Sequence, residues 1–213
     1  MGISRMWLTT EDREILKYVE QYGSTTIHQV QNMFYNTQLK GYQMAQKHLA
    51  KLVGYSKLYV YKERNFNSNI YYMDKKASYH TVLIMNYYSE LIKNGAKIIY
   101  FKREQEWMDK KYYSDAYCVY SVAGKVCFDL LEVVRAKTVE TQKYLDIFES
   151  KEAHELSQAI YSKITGGKRL EGLFPRLVVM DDIQHQKELF INKDITTIHV
   201  DFQLTNITQL LFI

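Results

Sequence analysis

Apolar residues at Ile15, Leu16, Val19 and Tyr22 recur every three or four positions, which predicts an amphipathic helix. Thr9 or Thr10 stands ready to cap it, Glu11 and Asp12 favour its positive dipole end, and Gly23 supplies a C-terminal stop. Ser24, Thr25 or Thr26 can cap a second, short helix carrying Ile27, Val30, Met33 and Phe34. A third helix is predicted over 38–53, capped by Thr37 and ended by Gly54. Its apolar stripe is Tyr42, Ala45, Leu49 and Leu52, and its other face holds Lys40, Gln43, Gln46, Lys47 and Lys51. Two runs rich in Tyr, Val and Ile follow, 57–64 and 69–74, around the turn-forming Asn65-Phe66-Asn67-Ser68, and predict a hairpin.

The pattern changes after Lys76. A helix is predicted over 77–94, with Val82, Leu83, Met85, Tyr88, Leu91 and Ile92 on its apolar sides. Tyr87, Tyr88, Leu91 and Ile92 suit core packing better than a dimer face. Strands follow over 97–102, 113–122 and 126–134, the last two joined at Ala123-Gly124-Lys125 as a hairpin. A long helical pattern spans 139–164 with a break near Glu149–Ala153, and Gly166-Gly167-Lys168 reads as a loop. Residues 176–180 read as a short strand, apolar after Arg176, as in a parallel sheet. A helix over 182–190, a strand over 197–202 and a docked apolar tail over 204–213 complete the series. The order is that of an α/β layer with a mixed sheet.

Three short helices and a hairpin make the order of a winged helix, with domains expected at 1–76 and 77–213. Charge sharpens this expectation. Residues 1–76 hold 11 Lys+Arg against 6 Asp+Glu, a net of +5, whereas the remainder holds 17 against 18, a net of −1. A positive excess confined to one region points to a polyanion partner for that region. If the third helix buries one side on the first two, its Lys/Gln side faces outward, and a major groove accepts one helix. Lys40, Gln43, Gln46, Lys47 and Lys51 are the candidate groove residues. Lys62, Arg64 and Asn67 on the hairpin are the candidate phosphate or minor-groove residues.

In the second domain, acids on the second and third strands give the layout of the restriction-endonuclease-like, PD-(D/E)XK fold. The acids are Asp115, in Tyr-Ser-Asp-Ala, and Glu132, in Asp-Leu-Leu-Glu-Val-Val. Neighbouring strands can bring two such carboxylates together around Mg²⁺. Cleavage also calls for a Lys two positions after the Glu, where this chain has Val134. Arg135 alternates to the other face, Lys137 lies beyond the strand, and only a Lys from the next helix, such as Lys143, could stand in. Asp115 and Glu132 therefore read as a vestigial metal pair on a retained scaffold. No catalytic residue, metal or cofactor is assigned.

Several stretches resemble the replication-relaxation family of Gram-positive plasmids, phages and mobile elements. They are Leu8-Thr9-Thr10-Glu11-Asp12-Arg13-Glu14-Ile15-Leu16, His48-Leu49-Ala50-Lys51-Leu52-Val53-Gly54, Ser114-Asp115-Ala116, Leu130-Leu131-Glu132-Val133, residues 138–148 with Lys143 and Tyr144, and Pro175-Arg176-Leu177-Val178-Val179. The resemblance implies a DNA-binding winged helix joined to a nuclease-like domain, in replication or transfer of an element. Val134 departs from the family pattern, which favours an acid there.

Composition excludes other classes. Hydrophobic content of 46% supports packed cores, and no stretch approaches the ~18 apolar residues of a membrane span. The N-terminus lacks the apolar core of a signal peptide, so the cytoplasm is the expected compartment. Cys118 and Cys127 lie in apolar strands and read as buried free thiols. Six scattered His lack metal-ligand spacing. The chain thus reads as a double-stranded-DNA-binding protein of a mobile element, in replication or transfer, with transcriptional regulation close behind. Further candidate partners are a second copy of the chain and replication or transfer proteins. The alternatives are a metal-dependent nuclease targeted by its winged helix, and a protein-docking adaptor.

Overall fold

The computed structural model describes residues 7–63, 68–135, 139–182 and 194–211. They form seven helices and two sheets, a mixed α+β protein, and the chain divides into two compact units, Met1–Lys93 and Asn94–Ile213.

The first unit opens with α1, Thr10–Tyr22. Thr9 caps it through a reciprocal pair of bonds: Asp12 N–H donates to Thr9 Oγ1 at 3.3 Å, and Thr9 N–H donates to Asp12 Oδ2 at 2.8 Å. Gly23 ends it at φ +85°, in the left-handed region. Helix α2, Ile27–Phe34, has the same box built from Thr26 and Gln29. Between them Ser24–Thr26 forms a strand, β1, too short for periodicity to reveal. Helix α3 is Gly41–Gly54 and starts later than predicted: Lys40 is at its N-cap and no side chain caps it. The turn before it closes through backbone instead, with Gln38 N–H on the Tyr35 carbonyl at 3.1 Å and Gly41 N–H on the Gln38 carbonyl at 2.9 Å. Gly41 packs so closely that a Cβ there would sit 2.3 Å from the Tyr35 carbonyl oxygen. Strands β2, Tyr59–Lys62, and β3, Asn69–Tyr72, pair antiparallel, and β3 also pairs with β1, giving the order β1-β3-β2.

Helix α4, Tyr79–Lys93, belongs to this unit, so the break falls after Lys93 rather than at the expected 76/77. The reason is packing on α2: Gln29 Nε2 donates to the Val82 carbonyl at 3.1 Å and to Asn86 Oδ1 at 2.7 Å, and Asn32 Nδ2 donates to Glu90 at 2.8 Å. Val82, Leu83, Met85, Tyr87 and Leu91 are buried, and the Tyr88 ring packs at a tilt against Tyr18 and Tyr22. The charge partition survives the shift, because 77–93 carries only Glu90 and Lys93 as charged pair.

The second unit is a five-stranded sheet in the order β4-β5-β6-β7-β8. Strands β4 (Lys97–Trp107), β5 (Tyr112–Val122) and β6 (Lys125–Val133) form an antiparallel meander. Ala123 and Gly124, both at positive φ, make the two-residue turn between β5 and β6. Helices α5 (Thr141–Ser150) and α6 (Glu152–Thr165) break apart at Lys151, φ +64°, where the sequence pattern falters. Then β7 (Arg176–Asp181) and β8 (Thr197–Asp201) join parallel, as the apolar run predicts. The helix expected over 182–190 lies almost wholly outside the described residues.

Tyr117, Val119, Phe128, Leu130, Leu177 and Val179 face Tyr144, Ile147 and Ala153 of the two helices. Alternation sends Tyr120 and Asp129 to the other face. There the Arg176 guanidinium bonds Asp129 Oδ1 at 2.8 Å, the Tyr120 hydroxyl at 2.9 Å and the Leu210 carbonyl at 2.9 Å. This fork holds the short α7, Thr208–Leu211, and Leu204, Ile207, Leu210 and Leu211 are buried, so the described part of the tail, 204–211, is docked as expected.

Candidate functional site

The predicted groove residues fall into two groups. Gln43, Gln46 and Lys47 form one exposed stripe of α3, with Lys40 exposed at its start. The spacing 43, 46, 47 keeps them on one side because residues three and four apart stack on a helix. Lys62 is exposed at the end of β2, while Arg64 and Asn67 lie outside the described residues. Lys51 does not join the stripe. It turns to α1, where its ammonium sits 2.5 Å from Asp12 Oδ2. Tyr42 reverses expectation too: it is 42% exposed rather than buried, and its ring lies 5.2 Å from that of His28. A signal passed over in the sequence is the absence of any Asp or Glu between Glu20 and Glu63, a stretch holding five Lys.

Asp12 is the polar hub of this unit. It is fully buried and receives Thr9 N–H, His48 Nδ1 at 2.7 Å and Lys51 Nζ. Burial pushes its pKa up, but the bonds from Lys51, His48 and Thr9 outweigh that and hold it at about 2. His48 in turn stacks on Tyr35, the residue that Gly41 approaches. Three contacts therefore fix the rotation of α3 about its axis, and with it which side chains point outward.

The second constellation is at the end of β5 and β6. Ala116 pairs with Leu131, so Asp115 and Glu132 occupy the next cross-strand position. Asp115 Oδ2 accepts Val133 N–H at 2.6 Å. Glu132 Oε2 accepts from Lys143 Nζ at 2.8 Å and from the Tyr144 hydroxyl at 2.6 Å. Lys143 and Tyr144 come from α5, and both are buried. Burial raises the Glu132 pKa; Lys143 opposes the rise and Asp115 adds to it. Burial likewise drives Tyr144 well above the usual phenol range. Val134 is half-buried with its N–H on the Met180 carbonyl, and Arg135 is exposed beyond β6. The helical lysine is thus the cation beside the strand acids.

These residues do not fit a metal ion as they stand. Glu132 already meets an ammonium and a phenol through one oxygen, and Asp115 takes a backbone N–H. Among the described residues no three His, Cys, Asp or Glu gather as a metal would need. Farther across the same sheet, on β7 and β8, His199 Nδ1 lies 3.7 Å from Asp181 Oδ2, two residues the sequence does not single out. Val179, between Glu132 and His199 in register, separates this pair from the first. Cys118 and Cys127 are free; Cys118 is buried and Cys127 only half-buried. No helix among the described residues is long and apolar enough to cross a membrane.

In comparisons with known proteins, no family model, no curated protein and no solved structure matches the chain.

Proposed function

We propose that the first unit is a winged helix that binds double-stranded DNA, with α3 in the major groove and the β2–β3 hairpin as the wing. The observation that carries this reading is the exposed Lys40, Gln43, Gln46 and Lys47 stripe, set in a stretch without one acid and flanked by Lys62. A polyanion meets cations and amides and no carboxylate there, so backbone contacts steer the helix and amides are left for base edges. The second unit, on a nuclease-like scaffold, serves partner contact or pairing of two copies. The setting proposed is a mobile element of the replication-relaxation kind, in replication or transfer of its DNA, with transcriptional control of its own gene close behind.

The test is gel-shift affinity on fragments flanking the gene, with footprinting to locate the site. A Gln43→Ala/Lys47→Ala protein is expected to lose specific binding, since one bidentate amide–adenine contact is worth about 1–3 kcal/mol. Undiminished binding by that protein would overturn the docking. Absence of any salt-dependent DNA binding would favour the protein-docking adaptor.

One observation favours a second reading, targeted cleavage: the Lys143 ammonium reaches Glu132 at 2.8 Å although the strand itself offers only Val134. Supercoiled and cognate duplex DNA incubated with Mg²⁺ or Mn²⁺ decides between the two. Nicking that disappears in Asp115→Ala/Glu132→Ala protein would establish the enzyme. Intact DNA keeps the binding reading.

A further inference from the structure

We infer that α3 reads A·T base pairs, using amides for adenine and an apolar pair for the thymine methyl. The inference rests on the duplex-DNA reading above and names the sequence class that surface would select. Its starting observation is two exposed apolar side chains where the core has no use for them. Leu39, just ahead of α3, is fully exposed, and Tyr42, in its first turn, is 42% exposed. Tyr42 lies one helical turn before Gln46, Leu39 is exposed just ahead of the helix that carries Gln43, and the His28 ring of α2 lies beside Tyr42. Lys40 and Lys47 border this group and keep its surroundings cationic.

The chemistry of the exposed set discriminates among bases. Cytosine offers a donor in the major groove and is best read by a carboxylate, and α3 carries none. Guanine offers two acceptors that Arg or Lys can meet; α3 carries no Arg, and its exposed Lys47 is a point charge rather than a two-pronged donor. Adenine presents an acceptor and a donor side by side, the complement of a carboxamide, and its partner thymine adds a methyl group. An amide with an apolar neighbour therefore matches both halves of one A·T pair. Gln43 and Gln46 are three residues apart, about 4.5 Å along a helix axis, which suits neighbouring base pairs rather than distant ones. Lys40 and Lys47, at the edges, are left for phosphates.

The experiment is selection of the full chain against a random-sequence duplex library, followed by affinity measurement on the enriched site. The expected core contains at least two adjacent A·T pairs. Replacing its thymines by uracil, which removes only the methyl groups, should weaken binding roughly fourfold for each methyl contacted. Leu39→Ser/Tyr42→Ser protein should lose that sensitivity, and the core stays intact because Leu39 is fully exposed and the Tyr42 ring rests on the surface ring of His28. Gln43→Ala should flatten the preference at one A·T position by roughly tenfold or more. A G·C core, binding without preference, or full affinity for the uracil site overturns the inference and leaves DNA binding standing. Failure to enrich or retain any duplex overturns the inference together with the reading beneath it.

Discussion

Asp12 in the first unit is buried and Glu132 in the second is partly buried, and each is met by a helical lysine, at 2.5 and 2.8 Å. Their acidities nevertheless move in opposite directions. Asp12 sits at the N-terminal turn of α1 and gathers a backbone N–H, a histidine and a lysine, so its charged form is favoured. Glu132 has a lysine and a phenol but a second acid, Asp115, beside it, and burial wins. The first cluster stabilises a charge that orients a helix. The second holds a charge against its surroundings, the arrangement expected of a site rather than of a brace. The difference places a rigid brace in the first unit and the candidate site in the other.

The largest expected effect concerns where the two units part. A fragment of residues 1–93 should unfold in one cooperative urea transition, whereas residues 1–76 should not. The shorter piece loses Val82, Leu83, Met85 and Leu91 from its core and leaves Gln29 and Asn32 without their α4 partners. Equal transitions in the two fragments would show that α4 is dispensable and that 76/77 is the working boundary.

That boundary shows why the sequence reading stops where it does. Helices with whole faces to bury, caps at Thr9 and Thr26, and the apolar run in β7 are local features, and periodicity and capping chemistry reveal them. Ser24–Thr26 becomes a strand only because β3 lies beside it, and α4 belongs to the first unit only because Gln29 and Asn32 reach it. Such facts live in pairs of residues far apart in the chain. The same holds for the sites. Gln43, Gln46 and Lys47 are legible from helical spacing, but Lys51 is not, since its partner Asp12 is 39 residues away. Tyr42 is misjudged because an apolar residue at helical spacing reads as core until the turn through Gly41 is seen. Asp115 and Glu132 are readable from strand order, and a lysine of the following helix, such as Lys143, is the kind of residue the strand pattern leaves to join them.

The next effect in size comes from removing one half of the second cluster. Lys143→Ala should destabilise the second unit by about 3 kcal/mol near neutral pH, because it strands the Glu132 charge in a site where Lys143 and Glu132 are only 9% and 17% exposed. The Lys143→Ala/Glu132→Gln double variant should recover part of the loss. A cost well below 1 kcal/mol in urea unfolding of the full chain would mean that solvent reaches the pair freely.

Acid titration separates the two clusters by sign. Asp12 is held at about 2 against 3.8 for an ordinary aspartate, a gain of about 2 kcal/mol that is present above pH 4. The stability gap between wild type and Asp12→Asn should therefore close as pH falls from about 4 to 2. For Glu132 the folded state holds its proton more tightly than the unfolded chain does, so its contribution declines as pH rises above the ordinary glutamate range. The gap between wild type and Glu132→Gln should narrow with rising pH there. Parallel pH profiles for the two variants would erase the contrast between brace and site.

The smallest effect is also the most discriminating for the proposed DNA-binding surface. Lys47 and Lys51 lie one helical turn apart and look equivalent in sequence, yet Lys47 is exposed and Lys51 is 2.5 Å from Asp12. A lysine that meets a phosphate displaces a counterion, so its loss should lower the slope of log affinity against log salt by about 1. Lys47→Ala is expected to show that drop. Lys51→Ala should leave the slope at its wild-type value, because its ammonium is neutralised within the protein and displaces nothing on the duplex. It should instead lower the stability of the first unit, as it exposes Asp12 to burial without its closest cation. A salt slope reduced equally by both substitutions would mean that Lys51 leaves Asp12 on binding and that α3 turns about its axis to meet DNA. A slope unchanged by either would place the groove contacts elsewhere on the unit, with Lys62 and the hairpin the first residues to test.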